Sequence, residues 1–274
     1  MRKLLTVLIL MGIIAESYGQ MLYRVKKKGV KGNSYIMFVD EMLPSSALVG
    51  VKDVFRCYNK SEKVVCEYVA EKSWDRWTEM VKSPTSLGAL IGKNERELVD
   101  SVLRTDCKVT IGKVSKLKPA AIVMMWRDEI CKSLYERGED DVAMDSYFQQ
   151  VALMEGKKIE SLDDSLTIYE YLEESIDVQT RKMVEEFRQG RESVVKRYQR
   201  AELLFKAEDI EGLSALHKDE NEREKIEARV DGWVEKIKLC VERERCFIVL
   251  PAKYFAGELI DKIEKQGYKI TEVK

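Results

Sequence analysis

The hydrophobic pattern near the C-terminus predicts an α/β unit. An apolar run at 246–250 is bounded by charged residues and by Pro251, as is typical of a strand buried on both faces of a sheet. An amphipathic segment, a glycine at 267 and a stretch at 268–273 follow, which predicts strand, helix and strand. Because sites in such sheets lie at the carboxyl ends of strands, Lys253 and Tyr254 are predicted to lie at the site.

The pattern in the rest of the chain predicts a few more strands and many helices. Stretches at 22–25 and 34–39, separated by a glycine-containing turn, predict a hairpin, and 63–68 predicts a third strand. Ser45 or Ser46 is predicted to cap a helix that reaches Cys57. Further helices are predicted at 95–104, 120–135, 144–154 and 166–174, with a strand at 157–162, and amphipathic helices at 178–244.

The first 19 residues have the pattern of a signal peptide. Arg2 and Lys3 precede an apolar core at 4–14, and small residues lie just before Gln20. The sequence therefore predicts cleavage after residue 19, a single domain over 20–274, and export to the periplasm or the extracellular space of a bacterium. An uncleaved signal anchor is the alternative, and no other contact with a membrane is expected.

Charge and cysteine content exclude some classes of function. The chain has 47 Lys and Arg against 48 Asp and Glu, so no overall positive field would attract nucleic acid. Its six cysteines could pair outside the cytoplasm, but none has the C-x-x-C spacing of a metal or redox site. We favour single buried thiols, because a chain of 274 residues can fold on its core alone.

Candidate catalytic side chains are few. The chain has one histidine, His217, which excludes a two-histidine zinc site within one chain. Its charged surroundings predict a solvated helix end and no catalytic role. Asp40, Glu41 and Glu67 lie at the ends of predicted strands and could hold a hard divalent cation, although acidic residues there more often cap helices. No G-x-S-x-G or G-x-G-x-x-G motif is present.

A set of phrases in a fixed order resembles the TraB/GumN family across essentially the whole of 20–274. That family is similar to the Tiki metalloproteases and, more distantly, to the erythromycin esterase and ChaN groups. The resemblance implies an α/β fold with a mixed central β-sheet built from N- and C-terminal strands and a large helical middle region. The phrases are Leu22-Tyr23, Asn33-Ser34-Tyr35-Ile36-Met37 with Pro44, Lys63-Val64-Val65-Cys66-Glu67, Leu117-Lys118-Pro119, Met144-Asp145-Ser146-Tyr147, Trp233-Val234-Glu235-Lys236-Ile237 and Lys265-Gln266-Gly267-Tyr268-Lys269-Ile270.

The family pattern implies a site built from two G-x-x-H motifs and a glutamate. The motifs fall on 38–41 and 251–254, where Phe38 and Pro251 replace the glycines. Glu41 and Tyr254 replace both histidines. The resemblance retains two further positions, the glutamate as Glu67 and an arginine as Arg229, although the asparagine usual beside the arginine is Val230.

Three hypotheses for function follow from the resemblance. The first is an exported metalloprotease-like scaffold without catalysis, which binds a peptide, a protein or another ligand and needs no cofactor. The second is a hydrolase in which Asp40, Glu41 and Glu67 hold a divalent cation and Arg229 stabilises negative charge. Its pocket would also contain Lys253 and Tyr254. The third is a structural or interaction protein whose old pocket is filled by bulky side chains, such as Phe38 and Tyr254.

Overall fold

The computed structural model describes residues 20–69, 74–136, 141–163, 170–217 and 223–273. The predicted signal peptide lies outside these residues, so its cleavage stays a prediction. In the described part, no helix is both long enough and apolar enough to cross a membrane.

Six strands form one mixed sheet in the order β4-β3-β5-β2-β1-β6. β2, β3, β4 and β5 are mutually parallel, whereas β1 runs antiparallel to both of its neighbours, β2 and β6. This confirms the α/β class, the N-terminal hairpin and the crossover that joins the last two strands. The strands are β1 Leu22–Lys26, β2 Ser34–Val39, β3 Lys63–Cys66, β4 Lys158–Ser161, β5 Cys246–Pro251 and β6 Lys269–Glu272.

The two central strands, β2 and β5, are buried along their whole length. They pair in parallel from Tyr35 opposite Phe247 to Val39 opposite Pro251. Strands that are covered on both faces need continuous apolar sequence, which explains why β5 is the clearest strand signal in the chain. Pro251 has no N–H to donate, and the chain leaves the sheet immediately after it as a short 3-10 helix at Ala252–Gly257.

Helices fill the middle of the chain. They are α1 Val54–Asn59, α2 Trp74–Met80, α3 Leu87–Leu90, α4 Lys93–Val102, α5 Pro119–Tyr135, α6 Met144–Met154, α7 Glu170–Glu173, α8 Ile176–Lys206, α9 Ile210–His217, α10 Arg223–Arg243 and α11 Leu259–Lys265. The predictions at 120–135 and 144–154 are confirmed almost to the residue. The prediction at 166–174 is reduced to the short α7, and 164–169 lies outside the described residues.

Two local departures from the predicted pattern have backbone causes. The helix predicted from Ser45 or Ser46 to Cys57 is wrong as one helix: a 3-10 turn at Ser45–Gly50 is separated from α1 by Asp53, whose φ is 62°. In α8, Gly190 has φ 77° and ψ 173°, values that break the helical geometry and that glycine adopts without steric cost.

The buried side chains form two clusters. The larger surrounds the sheet, and the smaller joins α3, α4, α5 and the first part of α8, with Trp126 and Phe187 at its centre. Trp126 and Phe187 pack edge to face with 4.8 Å between ring centroids, an arrangement that aromatic pairs prefer. Helix α8 contributes side chains to both clusters and so connects the helical layer to the sheet.

All six cysteines lie in the described part of the chain, and none of them forms a disulfide. Five of the six are buried, and Cys107 is partly exposed. Burial raises the pKa of the Cys66 and Cys246 thiols above the ordinary value, so these thiols stay protonated at neutral pH. Five of the six cysteines therefore agree with the prediction of single buried thiols, and the partly exposed Cys107 does not.

Candidate functional site

The predicted site residues gather at one edge of the sheet. β2, β3 and β5 are parallel neighbours, so their carboxyl ends lie together. Asp40 and Glu41 follow β2, Glu67 follows β3, and Lys253 and Tyr254 lie in the 3-10 turn after β5. The structure therefore places these five side chains at the same edge of the sheet, and their role in a site stays a prediction.

Glu67, Tyr254 and Arg229 form a buried cluster at this edge. Glu67 is 3% exposed and Tyr254 is fully buried. The Tyr254 hydroxyl donates to Glu67 Oε1, and Arg229 Nη1 donates to the same hydroxyl at 2.7 Å and to Glu67 Oε1 at 3.3 Å. The ring of Trp233 packs against that of Tyr254, with 4.5 Å between centroids. At the position where the resemblance implies a histidine, Tyr254 thus donates a hydrogen bond to the carboxylate of Glu67.

Asp163 places a second carboxylate beside Arg229. Its Oδ2 lies 3.0 Å from Arg229 Nε, just beyond the end of β4. Arg229 therefore lies between two carboxylates, and its side chain is only 16% exposed. Sequence reasoning did not identify Asp163. The signal that could have done so is its position just after the strand predicted at 157–162, because Glu67 became a candidate by its similar position at a strand end.

The pKa of Glu67 is raised to about 7. Burial is the main cause, because it disfavours the charged carboxylate, and the charge of Glu41 adds to the effect. Lys253, the Tyr254 hydroxyl and Arg229 all act in the opposite direction. Within the described part, Glu67 Oε2 is buried without a hydrogen-bond partner, so stabilisation of the anion depends on the other oxygen.

Asp40 and His217 form a second pair, which the sequence did not predict. Asp40 is fully buried, and its Oδ1 accepts from the backbone N–H groups of Met42 at 2.7 Å and Leu43 at 3.2 Å. Its Oδ2 lies 2.6 Å from His217 Nε2. The expectation of a solvated His217 is wrong: α9 does end there, but it packs on the 252–257 turn, and the imidazole is only 16% exposed.

Glu41 and Lys253 lie in a more open position than either buried group. Their charged atoms are 3.3 Å apart at the closest, and Glu41 is 44% exposed. The Lys253 ammonium also lies 5.2 Å from the ring centroid of Tyr254, within the range of a cation–π contact. Lys253 therefore joins the buried cluster to the open side of the site.

The open side is a cleft of about 840 Å³ between the sheet edge and the helical layer. Glu41, Lys253, His217 and Asp145 line it from the sheet side, and residues of α5 and α8 such as Met183 line it from the other. Glu67 and Arg229 are not among its lining residues. The site is therefore closed around Glu67 and open beside Glu41. This arrangement matches neither a completely filled pocket nor an open pocket lined by Glu41, Glu67 and Arg229 together.

The donor set does not fit the metal that the resemblance implies. Asp40 is committed to His217 and to two backbone N–H groups, Glu41 faces Lys253, and Glu67 accepts from Tyr254 and Arg229. In the described ranges, no three His, Cys, Asp or Glu side chains are grouped as metal ligands. Lys253 already faces Glu41, and Arg229 already faces Glu67, so protein cations occupy the places where the hydrolase hypothesis needs a metal ion.

The first replaced glycine position carries a bulky aromatic side chain. Phe38 is fully buried in β2, and its ring packs edge to face against Tyr23 and Phe255, with centroids 5.9 and 5.4 Å apart. The space beside a glycine is here filled by an aromatic cluster. Such packing holds the strand and the 252–257 turn together.

Comparison with known families agrees with this architecture. The model of the TraB/PrgY/gumN family matches residues 21–272, from the first strand to the last. The chain belongs to the TraB/PrgY/gumN family. No curated protein and no solved structure matches it. Membership in the TraB/PrgY/gumN family confirms the resemblance inferred from the ordered phrases, and it covers every strand of the sheet and every residue of the candidate site.

Proposed function

We propose that this member of the TraB/PrgY/gumN family is an exported scaffold that has lost metal-dependent hydrolysis and binds a peptide, a protein or another ligand in its cleft. The observation that carries the proposal is the hydrogen bond from the Tyr254 hydroxyl to Glu67. Glu67 retains the family glutamate, but its Oε1 accepts a hydrogen bond from Tyr254, the residue that replaces a histidine.

The open cleft supports a binding role over a purely structural one. A volume of about 840 Å³ lies within the range of small-molecule and peptide sites. Its lining combines apolar side chains, such as Leu43 and Val123, with charged ones, such as Glu41 and Lys253. Apolar walls with a few polar groups are typical of ligand pockets, because the former supply affinity and the latter fix orientation.

Two measurements on the full chain test the proposal. The first is metal content by elemental analysis after dialysis against manganese, magnesium, calcium and zinc, together with cleavage of a peptide library. We expect no stoichiometric metal and no cleavage. Metal-dependent cleavage that Glu67→Gln abolishes would overturn the proposal in favour of the carboxylate-based hydrolase.

The second measurement is binding. A thermal-shift screen with peptides and small metabolites should find compounds that raise the melting temperature, since a ligand that binds only the native state stabilises it. Substitution of Met124 by Trp, at a partly exposed position of α5 that lines the cleft, would narrow the cleft from the helical side and should remove these shifts. Leu203→Trp, on an exposed site of α8, is the matched control. A screen without any binder would favour the structural hypothesis.

A further inference from the structure

The turn between β1 and β2 carries positive charge that the protein does not neutralise. Residues 24–33 contain five Lys and Arg and no Asp or Glu, whereas the whole chain has a net charge of -1. Lys26, Lys28 and Lys31 are exposed, and none of the three forms an ion pair within the described part of the chain. Lys27 differs from them, because its ammonium lies 2.5 Å from Glu242. The turn thus presents three unpaired cations to solvent.

The pairing of β1 with β6 adds a fourth cation to this group. Lys26 lies directly opposite Lys269 in the antiparallel register, and both side chains are exposed. Opposite side chains in such a pair have Cβ atoms about 5 Å apart, and like charges there are destabilising. Among the described residues, no acidic side chain forms an ion pair with Lys269. An external anion would relieve the repulsion between these two lysines.

A depression of about 400 Å³ beside the turn contains a fifth cation, Arg243 at the end of α10. Three acidic side chains also line the depression, but each of them already contacts a cation of the protein. These pairs are Glu62 with Arg245, Glu242 with Lys27 and Glu244 with Lys158. Lys31 and Arg243 line the same depression, and neither has an acidic partner in the described ranges. The depression therefore keeps an excess of positive charge.

An exposed leucine lies on the same side of α10. Leu239 is 48% exposed, and it precedes Glu242 and Arg243 by three and four residues. Residues at these spacings share a face of a helix, and Lys27 reaches this face through Glu242. Cations combined with an exposed apolar side chain suit a lipid surface, because headgroups accept the charges and the acyl boundary accepts the apolar group. A soluble polyanion offers no apolar contact to the leucine.

We call these five cations and the leucine the basic surface: Lys26, Lys28, Lys31, Leu239, Arg243 and Lys269. The basic surface and the cleft lie at opposite edges of the sheet. The turn precedes β2, whereas Glu41 of the cleft follows β2, a strand of 6 residues that spans about 20 Å. Both can therefore be occupied at the same time.

We propose that the basic surface docks on a bilayer that contains anionic phospholipid. Its five cations face the lipid phosphate groups, and Leu239 enters the headgroup region. The even overall charge of the chain predicts no such contact, but the fold collects unpaired cations at one edge of the sheet. This inference is independent of the proposed function, because it uses residues that do not line the cleft.

Co-sedimentation of the full chain with vesicles tests the proposal. The probes are vesicles of phosphatidylcholine alone and vesicles of phosphatidylcholine with an equal share of phosphatidylglycerol. We expect binding to the anionic vesicles to be at least about tenfold tighter at low salt. High salt should remove most of this difference, because it screens exposed charges. Every sample carries the same residues 1–19, so any apolar contribution from them is common to all comparisons.

Matched double variants locate the effect. Lys28→Gln combined with Lys31→Gln should weaken binding to the anionic vesicles about 25-fold, since each lysine beside such a surface contributes about fivefold. Both side chains are exposed and unpaired in the described part, so the variant should keep the melting temperature of the parent chain. Lys196→Gln combined with Lys206→Gln removes the same charge at exposed positions of α8 and should bind as the parent chain does.

The leucine separates a lipid surface from a soluble polyanion. Leu239→Asn should weaken binding to the anionic vesicles about fivefold, because an apolar contact is lost. It should leave binding to dextran sulfate, a soluble polyanion, unchanged. Leu203→Asn, at a position of α8 that is 62% exposed, is the matched control and should change neither.

Three results would overturn the inference: no preference for anionic vesicles, equal losses in the two double variants, or vesicle binding that Leu239→Asn leaves unchanged. The last result would assign the basic surface to a soluble polyanion. None of the three affects the proposed function. Met124→Trp, which narrows the cleft, should in turn leave vesicle binding unchanged, so the two proposals fail separately.

Discussion

The two sides of the sheet edge treat acidic side chains in opposite ways. On the closed side, Glu67 is buried, accepts hydrogen bonds from Tyr254 and Arg229, and does not line the cleft. On the open side, Glu41 and Asp145 line a cavity. Glu67, at a position that the resemblance retains, thus lies where packing is complete, whereas Glu41, at a position where the resemblance implies a histidine, lies beside the cleft. A position that matches the family pattern can therefore lie either in the packed interior or beside the cleft.

The largest effect on the free energy of unfolding is expected when Arg229, the cation of the closed side, is removed. Arg229→Met should lower the free energy of unfolding by about 3–5 kcal/mol, because it leaves the buried Glu67 without its compensating charge. Urea denaturation measures this. Arg223→Met, on the exposed first turn of α10, removes a similar ion pair and should cost less than about 0.5 kcal/mol. Equal costs for the two variants would mean that the closed side is not the tightly coupled cluster described above.

The second prediction concerns pH. The pKa of Glu67 is about 7 in the folded chain and about 4.3 in an unfolded one. The folded state therefore binds more protons between these values, and the contribution of Glu67 to stability falls as pH rises from about 4.3 to 7. The total change is on the order of 4 kcal/mol, since one pKa unit corresponds to about 1.4 kcal/mol.

Comparison with a variant isolates this contribution from the other carboxylates. The stability advantage of the parent chain over Glu67→Gln should shrink between pH 5 and pH 8 in urea titrations, because glutamine cannot ionise. Glu160→Gln is a suitable control, since Lys63 lowers the pKa of Glu160 and the advantage of the parent should not shrink over this range. A constant difference between the parent chain and Glu67→Gln would show that Glu67 does not titrate there.

The third prediction removes only the hydroxyl that closes the site. Tyr254→Phe should cost about 1–3 kcal/mol, because Glu67 then loses a buried donor. Tyr58→Phe is the matched control: its hydroxyl bonds to Glu155, a carboxylate that is 44% exposed and can turn to water. A smaller loss for Tyr254→Phe than for the control would contradict the role given to this hydroxyl.

The smallest effect is expected on the open side. Lys253→Met should change the free energy of unfolding by less than about 1 kcal/mol, because the partner Glu41 is well exposed to water. It should nevertheless raise the pKa of Glu67 further, since Lys253 is the foremost of the groups that lower it. Carboxyl ¹³C shifts would report this change. A large loss of stability would remove the contrast between the two sides.

Much of the fold could be predicted from the pattern of residues, and the failures have local causes. Continuous apolar runs identified β2 and β5 because both strands are covered on both faces. The helix predicted across Asp53 failed because its left-handed backbone conformation leaves no periodic signal in the side chains. His217 was misjudged because its neighbours in sequence are charged, whereas its partner Asp40 is 177 residues away.

The sequence by itself determined the family, the α/β class and the set of residues at the ends of the strands, because burial and periodicity are properties of neighbouring residues in the chain. Only the tertiary structure decided which of those residues face each other. It turned Tyr254 inward to Glu67, brought His217 to Asp40 and left Asp145 on the wall of the cleft. These pairings depend on how distant segments pack, and charge and hydrogen bonding act through space over a few ångströms, whatever the separation along the chain.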